Sequence, residues 1–193
     1  MINLNDNTFD GNANVAIFNN GEAGVVENVK LSVYKKGNDD KENAPDYKLV
    51  FTDTTGASVN TAFWTVTEDT EYATIEQQIK KQGKMLKHVI HAVYGADYEF
   101  PQYPNPKAML SGVMKLVKEG TGQNLYRVFA NYGSTMGVKA YIQVRSWVPF
   151  MEPTSVATED TRLTRGNIDA MERLVEDTVT SNSVATADAG DDW

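Results

Sequence analysis

The 193-residue chain contains no cysteine. That excludes a disulfide framework, a thiolate metal site and a cysteine nucleophile, and it suits a reducing compartment. Histidine is scarce as well, with His88 and His91 the only two. No apolar run approaches the ~20 residues of a membrane-spanning helix. The stretch "MINLNDNTFDGNANVAIFNN" has neither the basic start nor the apolar centre of a secretory leader, so neither a membrane nor an export role is expected. Signatures of nucleotide binding and hydrolysis are missing too. There is no P-loop, no G-x-G-x-x-G after a strand, no G-x-S-x-G and no H-E-x-x-H.

The two histidines stand three apart in "KHVIHAV", a spacing that lets a helix present both to a metal. No acid at the next turn completes such a set, and apolar Val89 and Ile90 lie between them. They read better as helix-boundary histidines, and no metal, cofactor or catalytic residue is expected. A non-enzymatic protein follows from the same lack of paired catalytic groups.

What the chain does have is core material, with 41% hydrophobic residues, and a charge of −8 that is unevenly spread. Residues 1–152 hold 17 acids against 15 bases, a net of −2; residues 153–193 hold 9 against 3, a net of −6. The body is close to neutral and has room for a basic face, while the last fifth has the charge of an acidic interaction tail.

Along the chain, residues 1–22 are rich in Asn, Asp and Gly and read as an irregular arm. In "VENVKLSVYKK", Val29, Leu31 and Val33 alternate with Lys30, Ser32, Tyr34 and Lys36, the period of a half-buried strand. "DYKLVFTDTTGASVNTAFWTVT" reads as two strands, Tyr47–Asp53 and Val59–Val66, joined at Thr55-Gly56. A helix is expected from about Thr70 to Tyr94, stopped by Gly95, with Gly83 a point for a break. A second helix is expected from Pro106 to Lys118. Two strands follow, Leu125–Tyr132 and Val138–Val148. "MEPTSVATEDTRLTRG" reads as polar linker, and "NIDAMERLVEDTV" as a short amphipathic helix. Three strands, a helical insertion and two strands match the order of a five-stranded OB-type barrel, whose helix lies between strands 3 and 4. The expected domain is 23–150, followed over 151–193 by linker, helix and a flexible acidic tail.

The strand "VKAYIQVRSWV" carries the functional signal. Ala140, Ile142, Val144 and Ser146 face one way; Lys139, Tyr141, Gln143, Arg145 and Trp147 face the other. Cations and rings in alternation are what a single nucleic-acid strand needs, since bases stack on rings and Lys or Arg meets phosphate. Lys30, Tyr34 and Lys36 repeat the pattern on the first strand. Arg127 and Phe129 share a face on the fourth, and Phe63 and Trp64 lie in the third.

The run "NAPDYKLVFTDTTGASVNTAFW" with the helix "QGKMLKHVIHAVYG" resembles the core of bacteriophage single-stranded DNA-binding proteins. The ending "ATADAGDDW" is similar to the tails of phage and bacterial members. The resemblance spans about residues 23–150 and the last few positions. It implies an OB-fold core that coats single-stranded DNA without sequence preference in phage replication, recombination or repair, in the cytoplasm of a bacterial host. It also implies a tail of Asp188, Asp191, Asp192 and Trp193 that recruits replication and recombination proteins. The binding face would be Lys30, Tyr34, Lys36, Trp64, Arg127, Phe129, Lys139, Tyr141, Arg145 and Trp147. A homo-oligomer is compatible with it. Two departures stand out: the helical region 70–118 is longer than a minimal OB connector, and the tail is sparse in acids. The alternatives are a virion structural or assembly protein with a β-rich body, and a divalent-dependent nuclease using His88 and His91.

Overall fold

The computed structural model describes residues 16–38, 40–132, 140–142, 146 and 148–163. Strand β1 (Gly24–Lys35) pairs antiparallel with β2 (Tyr47–Thr52), and β2 with β3 (Ser58–Phe63). Two helices follow, α1 (Ile75–Tyr94) and α2 (Pro106–Thr121). β4 (Leu125–Tyr132) then returns to the free side of β1, and β5 (Ala140–Ile142) and β6 (Met151–Pro153) both pair with β4. The sheet order is β3-β2-β1-β4-β5, with β6 beside the first half of β4.

Local chemistry explains these boundaries. Val26 and Val29 are three apart yet both buried, which a plain alternating strand does not allow. The β1–β4 register shifts between them, and Asn28 sits at φ 57. This bulge inserts one residue and returns the apolar set to the core side. The β2–β3 turn is closed by Asp53, whose Oδ1 accepts from the Thr55 N–H (2.9 Å), the Thr55 hydroxyl (2.6 Å) and the Ala57 N–H (3.1 Å). Gly56 takes φ 87 there, a conformation open to glycine at no steric cost. Helix α1 begins at Ile75 rather than near Thr70, because Thr74 and Gln77 form a reciprocal capping box. It runs through Gly83 as one helix. The Asn105 side chain caps α2 by accepting from the Ala108 N–H at 2.8 Å, with Pro106 in the first turn.

One face of the sheet is apolar and covered by the helices. Val29, Leu31, Leu49, Phe51, Val59, Phe63 and Val128 form a single core with Leu86, Val89 and Ile90 of α1 and Leu110, Val113, Met114 and Val117 of α2. The opposite face divides into two halves. Over β1–β3 it is open to solvent; over β4 it is covered, and β4 is buried at every position after Leu125.

Two expectations need correction. Among the described residues the sheet is open and not a closed five-stranded barrel, since β3 and β5 come within 8 Å without a pairing between them. A sixth strand, β6, lies in the stretch read as polar linker, and Met151, Glu152 and Leu163 are buried. Met151 and Leu163 supply apolar anchors that a high polar content hides. In the segment read as an irregular arm, Phe18 is buried at 3% exposure and its carbonyl accepts from the Tyr132 hydroxyl at 2.5 Å. Of the expected strand 138–148, β5 covers 140–142, while Ser146 and Val148 are bends rather than strand; its remaining residues, the amphipathic helix and the tail lie outside the described residues.

Candidate nucleic-acid interface

The open half of the sheet is set by strand parity. With Leu31, Val33, Leu49, Phe51, Val59 and Phe63 directed to the helices, their neighbours must face solvent. Pairing places these residues in rows: Lys30 by Thr52 and Ser58, Ser32 by Val50 and Asn60, Tyr34 by Lys48 and Ala62. The next row holds Lys36, whose N–H donates to the Asp46 carbonyl at 2.9 Å, and Trp64, which follows Phe63 opposite Tyr47. Tyr34 is 41% exposed and Trp64 53%, large values for rings beside a sheet. Lys48 Nζ stands 5.3 Å from the centre of the Tyr34 ring, a cation–π contact. The face therefore carries Lys36 and Lys48 beside two exposed rings, with Lys30 two rows further along β1. Beside Trp64 a hollow of about 280 Å³, lined by Val66, Lys81, Gln82 and Met85, extends this surface toward α1.

Acids also line this region. Asp40 Oδ2 accepts from the Tyr34 hydroxyl at 2.5 Å and from the Gly37 N–H at 2.7 Å. These bonds, the Tyr34 one first, hold the Asp40 carboxyl below the usual carboxylate range, with nearby Lys48 and Lys36 acting in the same direction. The same hydrogen bond raises the Tyr34 hydroxyl. Asp46 Oδ2 accepts from the Thr65 N–H at 2.7 Å, and that bond likewise lowers its carboxyl.

Of the ten residues expected at the interface, the structure brings four together: Lys30, Tyr34, Lys36 and Trp64. Tyr141 is 39% exposed and accepts from the Asn131 side chain at 3.2 Å, on the covered side of the sheet near β4. Arg127 and Phe129 share a face as expected, but that face is buried, at 4% and 3% exposure. Arg127 Nε donates to Glu27 at 3.0 Å and Nη1 to Glu152 at 3.1 Å, while Nη2 donates to the Thr154 and Val156 carbonyls. Its charge is met from four directions inside the protein. Neither residue belongs to an exposed interface. For Arg127 the cause is the return of β6 beside β4 and of the segment behind it, whose Glu152 carboxylate and Thr154 and Val156 carbonyls enclose the guanidinium. Lys139, Arg145, Trp147 and the tail residues Asp188, Asp191, Asp192 and Trp193 lie outside the described residues.

Lys48 was absent from the expected set. Alternation of Tyr47, Leu49 and Phe51 already turns it outward, but only the β1–β2 register puts it beside Tyr34. His88 and His91 line a larger cavity of about 780 Å³ between α1 and the β6 segment, together with Glu152, Asp160 and Arg162. Burial lowers both histidine pKa values, most directly by desolvation. Glu152 is engaged by Arg127 and the Thr161 hydroxyl (2.7 Å). Among the described residues no group of three or more His, Asp or Glu is placed to hold a metal ion. The cavity brings acids and Arg162 around two histidines without an exposed ring, whereas the β1–β3 face sets lysines beside exposed rings, with its acids on the β1–β2 connection. That face has the better match of shape and charge to a polyanion carrying planar groups. Compared with known proteins, the chain matches no family model, no curated protein and no solved structure.

Proposed function

We propose that this protein binds single-stranded DNA without sequence preference through the solvent face of β1–β3. The observation that carries the proposal is the grouping of Lys30, Lys36 and Lys48 with Tyr34 and Trp64 on one open sheet surface. Lysines capture the phosphate backbone and release its counterions; rings then stack on bases for about 1–3 kcal/mol each. Neither step reads base edges, so no sequence preference results. Stacking and phosphate contact also serve RNA.

The strand order supports the same function. The order β3-β2-β1-β4-β5, with helices between the third and fourth strands and the two end strands close together, is compatible with the strand arrangement of a partly open OB barrel. In such barrels the face of strands 2 and 3 engages oligonucleotides. The role is protection of single strands in phage replication, recombination or repair, with no chemical step. Asp188, Asp191, Asp192 and Trp193 would recruit partner proteins. The deciding experiment is a titration with poly(dT): binding at low salt that weakens steeply as salt rises is expected, and no binding at low salt refutes the proposal.

A further inference from the structure

The open face is partly occupied by the chain itself. After β1 the backbone turns at Gly37, and residues 40–46 run back beside the exposed rings before β2 begins. Three contacts tie this segment to the face. The Tyr34 hydroxyl donates to Asp40 Oδ2 at 2.5 Å, Lys36 Nζ donates to the Glu42 carbonyl at 2.5 Å, and Trp64 Nε1 donates to the Asn43 carbonyl at 3.4 Å. The polar ends of Tyr34, Lys36 and Trp64 are thus all engaged by residues 40–43. The groups that engage them are a carboxylate and two carbonyl oxygens, the same acceptor chemistry that phosphates and bases present.

This segment is rooted in the sheet at one end and meets the face only through exposed contacts at the other. Its root is Asp46, which is paired to Lys36 through the backbone at 2.9 Å and accepts from the Thr65 N–H at 2.7 Å. Its tip is shaped by its own turns, with the Gly37 N–H on Asp40 at 2.7 Å and the Ala44 N–H on the Lys41 carbonyl at 2.9 Å, while its three contacts to the face lie at exposed positions. Exposed charged contacts contribute little net stability because water and salt compete for both partners. The tip can leave the face while the β1–β2 ladder stays intact.

We propose, resting on the nucleic-acid reading above, that residues 40–44 are a displaceable acidic cover. In the free protein they occupy the sites that phosphates and bases take, and a nucleic-acid strand expels them. Apparent affinity is then lowered by the fraction of molecules with the cover in place. A strand long enough to meet the lysines and both rings displaces it. A short or uncharged ligand that supplies only one of these contacts does not. Added salt loosens the cover as well as the strand, so the cover flattens the salt dependence of binding.

The test compares wild type with Asp40→Ala, which removes the carboxylate, and with Tyr34→Phe, which cuts its hydrogen bond and keeps the ring. Glu99→Gln on the α1–α2 connection controls for a change of one charge unit. Binding of a labelled oligo(dT) is followed by fluorescence anisotropy over a range of salt, with thermal melts confirming that each variant is folded. Asp40→Ala and Tyr34→Phe are expected to bind about three- to tenfold more tightly at low salt, with a steeper salt dependence. Glu99→Gln should change affinity by less than about twofold. If wild type binds and both variants bind equally or more weakly, or if Glu99→Gln gains as much as Asp40→Ala, the cover is refuted and the DNA-binding reading stands. If neither wild type nor the variants bind at low salt, both fall.

Discussion

Replacing Arg127 by alanine removes a guanidinium that ties three parts of the chain to β4. It reaches Glu27 on β1, Glu152 on β6 and the carbonyls of Thr154 and Val156 beyond it. The pairs differ in environment. The Arg127 and Glu152 side chains are 5% and 10% exposed, whereas Glu27 is 50% exposed. Truncation leaves the Glu152 carboxylate buried with the Thr161 hydroxyl and the Arg162 N–H as its remaining partners. Breaking a buried pair from one side costs about 3–5 kcal/mol, because the surviving charge is neither solvated nor matched. In a chain of this size each kcal/mol lowers Tm by about 2–4 °C, so a fall of roughly 6–20 °C is expected. Glu27→Gln, at an exposed pair, should cost under about 1 kcal/mol. Arg127→Met combined with Glu152→Met removes both charges together and should recover much of the loss. Urea and thermal denaturation at pH 7 measure all three. An Arg127→Ala loss below about 1 kcal/mol, or one no larger than that of Glu27→Gln, would show that the buried pair does not hold the β6 segment down. The folded double variant should also keep its oligo(dT) affinity within about twofold, since Arg127 lies beneath the surface; a large loss would return it to the interface.

Trp64→Ala should weaken oligo(dT) binding by about 1–3 kcal/mol, or roughly 5- to 150-fold, with thermal stability little changed because the ring is half exposed; unchanged affinity would remove Trp64 from the interface. Lys48→Ala should reduce the slope of log affinity against log salt by about 0.7, the share of one phosphate contact on a single strand. Stability should fall as pH drops through about 6.5. Burial lowers the folded pKa of His88 and His91, so in that range the unfolded chain binds more protons; stabilisation is complete above the unfolded pKa and is lost below it. Urea midpoints at pH 7.5 and 5.5, repeated with His88→Gln, check this, and a substitution that leaves the difference intact refutes the assignment. Deleting residues 185–193 should leave DNA affinity equal or higher while abolishing partner recruitment; pull-downs alongside DNA titrations read both effects.

Elements whose signals are local were legible in the sequence. The strands of the β1–β3 meander follow from alternation, and the β2–β3 turn from Asp53 to Gly56. The ends of the helices lie close to Gly95, Asn105 and Pro106 because caps and breakers act within a few residues. The outward set of Lys30, Tyr34, Lys36 and Trp64 was legible for the same reason, since parity alone turns a strand residue away from the core. The start of α1 was misplaced because Thr70 and Thr74 both offer a cap, and only Thr74 has its Gln three residues on.

What failed involved partners far apart in the chain. Alternation places Arg127 and Phe129 on the outward face of β4, and they are there, but parity cannot tell whether a later segment covers that face. At Arg127 the β6 segment does, with Glu152 meeting the guanidinium across 25 residues and the Thr154 and Val156 carbonyls closing on it. The same dependence on distant contacts determined whether the sheet closes, which residue joins Tyr34 on the surface, and where residues 40–44 lie. The sequence by itself determined the strands, the turns and an outward row of lysines and rings, because these follow from neighbours a few positions apart. The tertiary structure decided which part of that row meets solvent, because exposure depends on what the rest of the chain lays over it.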